Sequence, residues 1–201
     1  MVTSVRLVAA GGGTVIAASR WGKAKTVAKQ YGLSAQEVMQ RYFFEHFLMR
    51  LEGTRYRERF VIKGGLLLSS IMGVAQRTTM DLDATVRAMT LNEETVSAAM
   101  REICSVDLHD GMGFAFERVE PIREDDDYGG LRVHLAAEFG RMRTPLKVDV
   151  TTGDAITPGE VEYEFPTLFG EGSIHLMTYP LETCIAEKFE AVVKRGVATT
   201  R

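Results

Sequence analysis

The stretch from Lys63 to Asp83 constrains this chain most. An apolar run, Phe60-Val61-Ile62, leads into Lys63-Gly64-Gly65, and Leu66-Leu67-Leu68 follows. That is the pattern of a strand turning sharply into a buried helix. A second strand-like run, Asp81-Leu82-Asp83-Ala84-Thr85-Val86, comes next. Side chains two apart on a strand point the same way, so Asp81 and Asp83 share one face while Leu82 enters the core. Like charges held that close repel unless a cation joins them. A hard divalent metal with oxygen ligands is the usual partner. Glycines that open a helix let a phosphate approach free backbone N–H groups. A phosphate cradle beside a metal-binding carboxylate pair points to nucleotidyl or phosphoryl transfer.

The rest of the chain supplies the frame. Lys23, Lys25 and Lys29 lie in a short basic helix over 20–33 that ends at Gly32. Ser34-Ala35-Gln36-Glu37 is a capping box, and the helix after it carries one apolar stripe, Phe44, Phe47, Leu48 and Leu51. Thr90-Leu91-Asn92-Glu93 reads as a second capping box, before a helix with Val96, Ala99, Met100 and Ile103 on one face. Strands are expected at 113–119, 131–135, 146–150, 161–165 and 174–179. Asp125-Asp126-Asp127 reads as a solvated loop. In Leu146-Lys147-Val148-Asp149-Val150, Asp149 shares a face with Lys147. Asp149 is thus a third carboxylate on a strand, able to complete a second metal site or to activate an attacking hydroxyl. Pro180 opens a last helix to Lys194, whose Lys188 can either reach a phosphate or run its stem along the core. The apolar face Leu181, Ile185, Phe189 and Val192 needs a partner; part of it can pack on the sheet, and apolar surface near Phe189 and Val193 is expected to be exposed or covered by another copy of the chain.

The motifs in order resemble the DNA polymerase beta-like nucleotidyltransferases, whose signature is Gly-Gly or Gly-Ser, a spacer, then Asp-x-Asp or Asp-x-Glu. The resemblance narrows on Lys63-Gly64-Gly65, Arg77-x-Thr79-x-Asp81-Leu82-Asp83, Val148-Asp149-Val150-x-x-Gly153-Asp154, Tyr163-x-Phe165-Pro166-Thr167-Leu168 and Tyr179-Pro180-Leu181-Glu182 with Ala186-Glu187-Lys188. Over about residues 22–201 the chain is similar to the AbiEii nucleotidyltransferase toxins of type IV toxin–antitoxin, abortive-infection systems. The resemblance implies an α+β, polymerase beta-like fold, a mixed sheet flanked by helices. It implies Mg²⁺ (or Mn²⁺) at Asp81, Asp83 and Asp149, with an NTP as substrate. Gly64, Gly65, Arg77 and Thr79 carry over as nucleotide-site residues, and Lys188 as the contact to its phosphates. The expected partners are an RNA acceptor, a tRNA 3′ end above all, and a cognate antitoxin encoded nearby. Family chains continue past the counterpart of Arg195-Gly196 into a Lys-Asp-x-x-Asp-Leu motif. The expectation is therefore a truncated C-terminal helical domain beginning at 181–201, after N-terminal helices at 21–59 and a nucleotidyltransferase core at 60–180. An alternative reading is a catalytically inactive remnant that binds nucleotide or antitoxin.

Composition narrows the classes that remain. Net charge is −3, so any nucleic-acid contact needs a local patch. Arg55, Arg57 and Arg59, with Arg141 and Arg143, could form one. Cys104 and Cys184 make no disulfide framework, which suits a reducing, cytoplasmic setting. His46, His109, His134 and His175 have no zinc-ligand spacing, and neither GxxxxGK[ST] nor GxGxxG occurs. No run is long enough to span a membrane. Gly11-Gly12-Gly13 interrupts the N-terminal apolar stretch, so residues 1–20 read as a poorly ordered or non-native extension rather than a leader.

Overall fold

The computed structural model describes residues 10–73, 80–122, 129–170 and 172–195. Helix α1 spans Ala10–Tyr31 and α2 spans Ala35–Glu52. The helix expected from residue 20 thus begins at Ala10. Ala17, Ala24 and Ala28 are buried, and α1 packs on α2. At least part of the segment set apart as an extension therefore contributes to the core. Ser34 caps α2 as the sequence implies: its hydroxyl accepts the Glu37 N–H at 3.2 Å, and the Glu37 carboxylate accepts the Ser34 N–H at 2.7 Å.

Helix α2 is more deeply enclosed than a single stripe predicts. Val38, Met39, Tyr42, Phe43, Phe44, Phe47, Leu48 and Leu51 are all buried, and so are Glu45, His46 and Arg50. Each of these three side chains has a hydrogen-bond partner. Arg50 reaches both Asp110 oxygens at 2.9 and 3.0 Å and the Met112 carbonyl at 2.7 Å. Glu45 accepts the Leu168 N–H at 2.9 Å.

Strand β1 (Phe60–Lys63) runs straight into α3 (Gly64–Met72). Then come β2 (Asp81–Val86), α4 (Glu93–Ser105), β3 (Met112–Ile122), β4 (Gly130–Phe139) and β5 (Met142–Thr151). Strands β6 (Val161–Pro166) and β7 (Ser173–Thr178) precede α5 (Leu181–Arg195). The seven strands form one mixed sheet in the order β3-β4-β5-β2-β1-β7-β6. Pairs β2–β5 and β1–β7 are parallel, and the others are antiparallel. The cap on α4 differs from the expected box. Asn92, not Thr90, accepts the first-turn N–H, from Thr95 at 2.8 Å, and the helix starts two residues later than a Thr90 cap would place it.

Alternation sorts the central strands into two faces. Leu82, Ala84, Val133, Leu135, Leu146, Val148 and Val150 are buried in the core, against which α2 and α4 also pack. Asp81, Asp83, Arg132, His134 and Asp149 occupy the intervening positions and are partly exposed; Lys147 is exposed.

Candidate active site

Strand register brings the acidic residues together. On β2 and β5, Asp83 lies opposite Asp149 and Asp81 opposite Lys147. On the other side of β2, Lys63 pairs with Asp83. On β4, Arg132 lies opposite Asp149, and on β3 Glu120 lies opposite Arg132. One row of charges therefore crosses five strands, Glu120, Arg132, Asp149, Asp83, Lys63, each about 4.7–4.9 Å from the next strand. The two carboxylates in its middle are neighbours because the chain returns β5 parallel to β2.

Asp83 is the most constrained of them. Gly64 sits at φ +71°, and a Cβ placed on it would lie 2.0 Å from Asp83 Oδ2. The first glycine of the pair is thus needed for close approach, since nothing larger leaves room for the carboxylate. The Gly65 N–H donates to the same carboxylate. Burial, then the charge of Asp149, pushes the Asp83 pKa up to about 6, against the Gly65 hydrogen bond and the positive fields of Lys188 and Lys63. The sequence suggested that both glycine N–H groups face phosphate. Here Gly65 N–H serves Asp83, and Gly64 N–H is directed at the Cys184 sulfur.

Asp149 is held differently. Arg132 clasps it with two parallel bonds, Nε at 2.8 Å and Nη2 at 2.7 Å, a geometry stronger than a single contact. Asp149 in turn holds the guanidinium more firmly protonated, and Asp81 adds to that field. Among the described residues, no group of three or more His, Cys, Asp or Glu side chains is gathered closely enough to hold a metal ion. Asp81, Asp83 and Asp149 lie on the adjacent strands β2 and β5 without closing into such a group. Asp81 and Asp83 fit a divalent cation by their spacing and by the destabilised charge of Asp83. Asp149 gives both oxygens to Arg132 in this arrangement.

Lys188 lies on the exposed side of α5, and its charge reaches Asp83. Arg77 and Thr79 lie outside the described residues. Asp154, which had no role in the sequence reading, proves to be an anchor. It accepts hydrogen bonds from Lys63 Nζ at 2.8 Å, Thr151 at 2.7 Å, Tyr179 at 2.8 Å and also Thr85. Burial works to raise its pKa, but the bonds from Lys63, Thr85 and Thr151 outweigh this and hold it at about 2. Arg132 was missed as well. Its signal was present in the alternation of 131–135, which turns it away from the core, but its partner lies on another strand.

The other cationic candidates are largely spoken for. Arg55 pairs with Glu102, Arg57 with Glu162, and Arg143 with Glu117 and Glu138. A cavity of about 450 Å³ lies at the far end of β5, lined by Trp21, Met39, Phe43, Phe139, Arg141 and Met142 among others. It is remote from the carboxylates, since Met142 and Asp149 are about 23 Å apart along the strand at about 3.3 Å per residue. No helix among the described residues is long and apolar enough to cross a membrane.

Two solved structures from Helicobacter pylori are similar to this chain. JHP933 is 16% identical with a TM-score of 0.47, the match covering 78% of this chain and 57% of that one. A protein provisionally named a nucleotidyltransferase is 18% identical with a TM-score of 0.46, covering 78% and 59%. This chain spans less than two thirds of the length of either, and likeness at that level does not inform its chemistry. No curated protein matches. The family model of the nucleotidyl transferase AbiEii toxin, type IV toxin–antitoxin system, matches residues 46–201. It starts at His46 rather than near residue 22, which leaves α1 and the first part of α2 outside the match. Because that match covers most of the chain and includes the glycine pair, Asp81, Asp83, Asp149 and Lys188, the chain belongs to the AbiEii nucleotidyltransferase toxin family.

Proposed function

We propose that this chain carries a nucleotidyltransferase site that moves a nucleotide from an NTP to an RNA hydroxyl, with a tRNA 3′ end as the acceptor. One observation carries the reading. Asp83 is half-buried beside Asp149, with its pKa driven up to about 6, against a glycine that leaves space for nothing but the carboxylate. A protein gains nothing in stability from that arrangement, and a bound cation relieves it. Asp81 and Asp83 would hold Mg²⁺ or Mn²⁺, which when bound neutralises triphosphate oxygens and polarises the α-phosphorus.

The chain's own residues do the rest. Lys188 supplies a point positive charge to the phosphates as charge builds on them. The acceptor hydroxyl oxygen forms the new bond to the α-phosphorus while the bond to the leaving pyrophosphate breaks. The hydroxyl proton goes to Asp149 once Arg132 has turned to the triphosphate, whose oxygens offer the guanidinium the same paired geometry. Blocked tRNA ends would halt translation in the cytoplasm, and an antitoxin encoded nearby would restrain the activity.

A second reading is a nucleotide-binding or antitoxin-binding protein without turnover. The hold of Arg132 on Asp149 favours it, because that grip removes the third carboxylate from the chemistry. Calorimetry with each of the four NTPs and Mg²⁺, paired with a turnover assay, separates the two. Binding with transfer supports the first reading, binding alone supports the second, and no binding to any NTP counts against both.

A further inference from the structure

Helix α5 carries Lys188, yet its apolar stripe is largely exposed. Leu181, Ile185, Phe189 and Val192 are all exposed, Phe189 to 69%. Apolar surface near Phe189 and Val193 is exposed as the sequence reading expects, and Leu181 and Ile185, at 42% and 46%, are partly covered. The side turned inward bears Thr183 and Cys184, both buried, and the half-buried Glu187. Each of these makes a polar contact. The Thr183 hydroxyl donates to the Thr157 carbonyl at 2.9 Å and accepts the Thr157 N–H at 3.2 Å. Cys184 faces the Gly64 N–H. Glu187 Oε1 lies 3.3 Å from Lys63 Nζ.

Lys63 is the residue before Gly64, and Glu187 is the residue before Lys188. The same ammonium lies 2.8 Å from Asp154 and 5.3 Å from the centre of the Tyr179 ring. Asp154 is fixed in turn by Thr85, Thr151 and Tyr179, on β2, on β5 and just past β7. An ammonium has three donors on one point. Here it joins a carboxylate that four side chains hold in the sheet to a carboxylate on a helix whose apolar stripe is largely exposed. Contacts at 183, 184 and 187 span one helical turn, so together they fix both the rotation and the height of α5.

We propose that Lys63 is a positioning residue, which latches α5 to Asp154 through Glu187 and so sets Lys188 against the carboxylate pair. The latch follows from the contacts alone; what Lys188 meets there rests on the nucleotidyltransferase reading above.

The test uses Cys184 as a reporter. It is 2% exposed, so alkylation requires α5 to lift. In a Cys104→Ala background Cys184 is the chain's sole thiol. Iodoacetamide labelling of the folded protein is compared with Mg²⁺-dependent NTP affinity for Lys63→Met, Lys63→Arg and Glu187→Gln. Lys63→Met is expected to speed labelling about tenfold and to weaken NTP binding about tenfold, the size of one partly buried ion pair. Lys63→Arg should restore most of both. Amide exchange at Val133 and Leu135 should stay at the wild-type rate, which separates lifting of α5 from general unfolding. If Lys63→Met does not fold, Glu187→Gln, on the surface helix, gives the same labelling test. Wild-type labelling in the variants overturns the proposal, as does faster labelling with unchanged NTP affinity. If the wild type binds no NTP, the functional reading falls, while the labelling rates still decide the latch.

Discussion

Replacing Gly64 with alanine tests how Asp83 is held. The added Cβ would lie 2.0 Å from Asp83 Oδ2, 2.7 Å from its Cγ and 2.8 Å from its Cβ, at φ +71°. Two costs follow. An L-residue in the left-handed region costs about 1–2 kcal/mol, and forcing a side chain into occupied space costs about 1–3 kcal/mol. Their sum is about 2–5 kcal/mol, or a fall of about 5–15 °C in Tm for a chain of this size. Gly170 isolates the first cost, because it has the same φ, +71°, and a Cβ there meets nothing within 4 Å. Gly170→Ala should lose only about 1–2 kcal/mol. Thermal unfolding of the two variants, with and without Mg²⁺, is the assay. Gly64→Ala should also lose the rise in Tm that Mg²⁺ gives the wild type, since its only way to fit is to displace Asp83. Equal losses in the two variants, or a Mg²⁺ response that survives in Gly64→Ala, would refute the close-approach argument.

Other outcomes follow from the same contacts. Asp81→Asn with Asp83→Asn should abolish the Mg²⁺-induced rise in Tm while leaving the metal-free protein at least as stable, because repulsion from Asp149 is removed; an unchanged Mg²⁺ response would put the metal elsewhere. Arg50→Met strands Asp110 in a largely buried site and should cost about 3–5 kcal/mol, read by urea unfolding; a loss under about 1 kcal/mol would show that Asp110 finds water. Burial raises the Glu45 pKa to about 7, against its bond from Leu168 and the charge of Arg41. Its unfolded value is about 4.3, so its contribution is fully present below about pH 4 and is lost as pH rises towards 7. Glu45→Gln should therefore flatten the fall in stability over that window, and an unaltered pH profile would contradict this assignment.

Much of this site was legible because it lies in local patterns. Gly64-Gly65 after an apolar strand, and Asp81 and Asp83 two apart, declare a turn and a shared face without any tertiary knowledge. The position of Asp149 beside Asp83 was an inference from order along the chain, and the parallel β2–β5 register supplies it. Partners on distant elements were not legible. Arg132 meets Asp149 across a hairpin, and Lys63 meets Asp154 and Glu187 at separations of 91 and 124 residues. Helix α5 shows the limit of periodicity. Its apolar stripe is real, but a stripe states only that a face can be buried, and here the polar side faces the body. The early start of α1 was hidden by its triple glycine, which weakens helix propensity locally, whereas Ala17, Ala24 and Ala28 secure the helix by packing.

The most direct measurement of the central claim is transfer of label from α-³²P NTPs to RNA. The chain is incubated with total tRNA, Mg²⁺ and each NTP in turn, beside the Asp81→Asn, Asp83→Asn variant. The account predicts that label enters RNA from at least one NTP, with pyrophosphate released, and that the variant transfers none. Absence of label from all four NTPs, or transfer that persists without the two carboxylates, would contradict it.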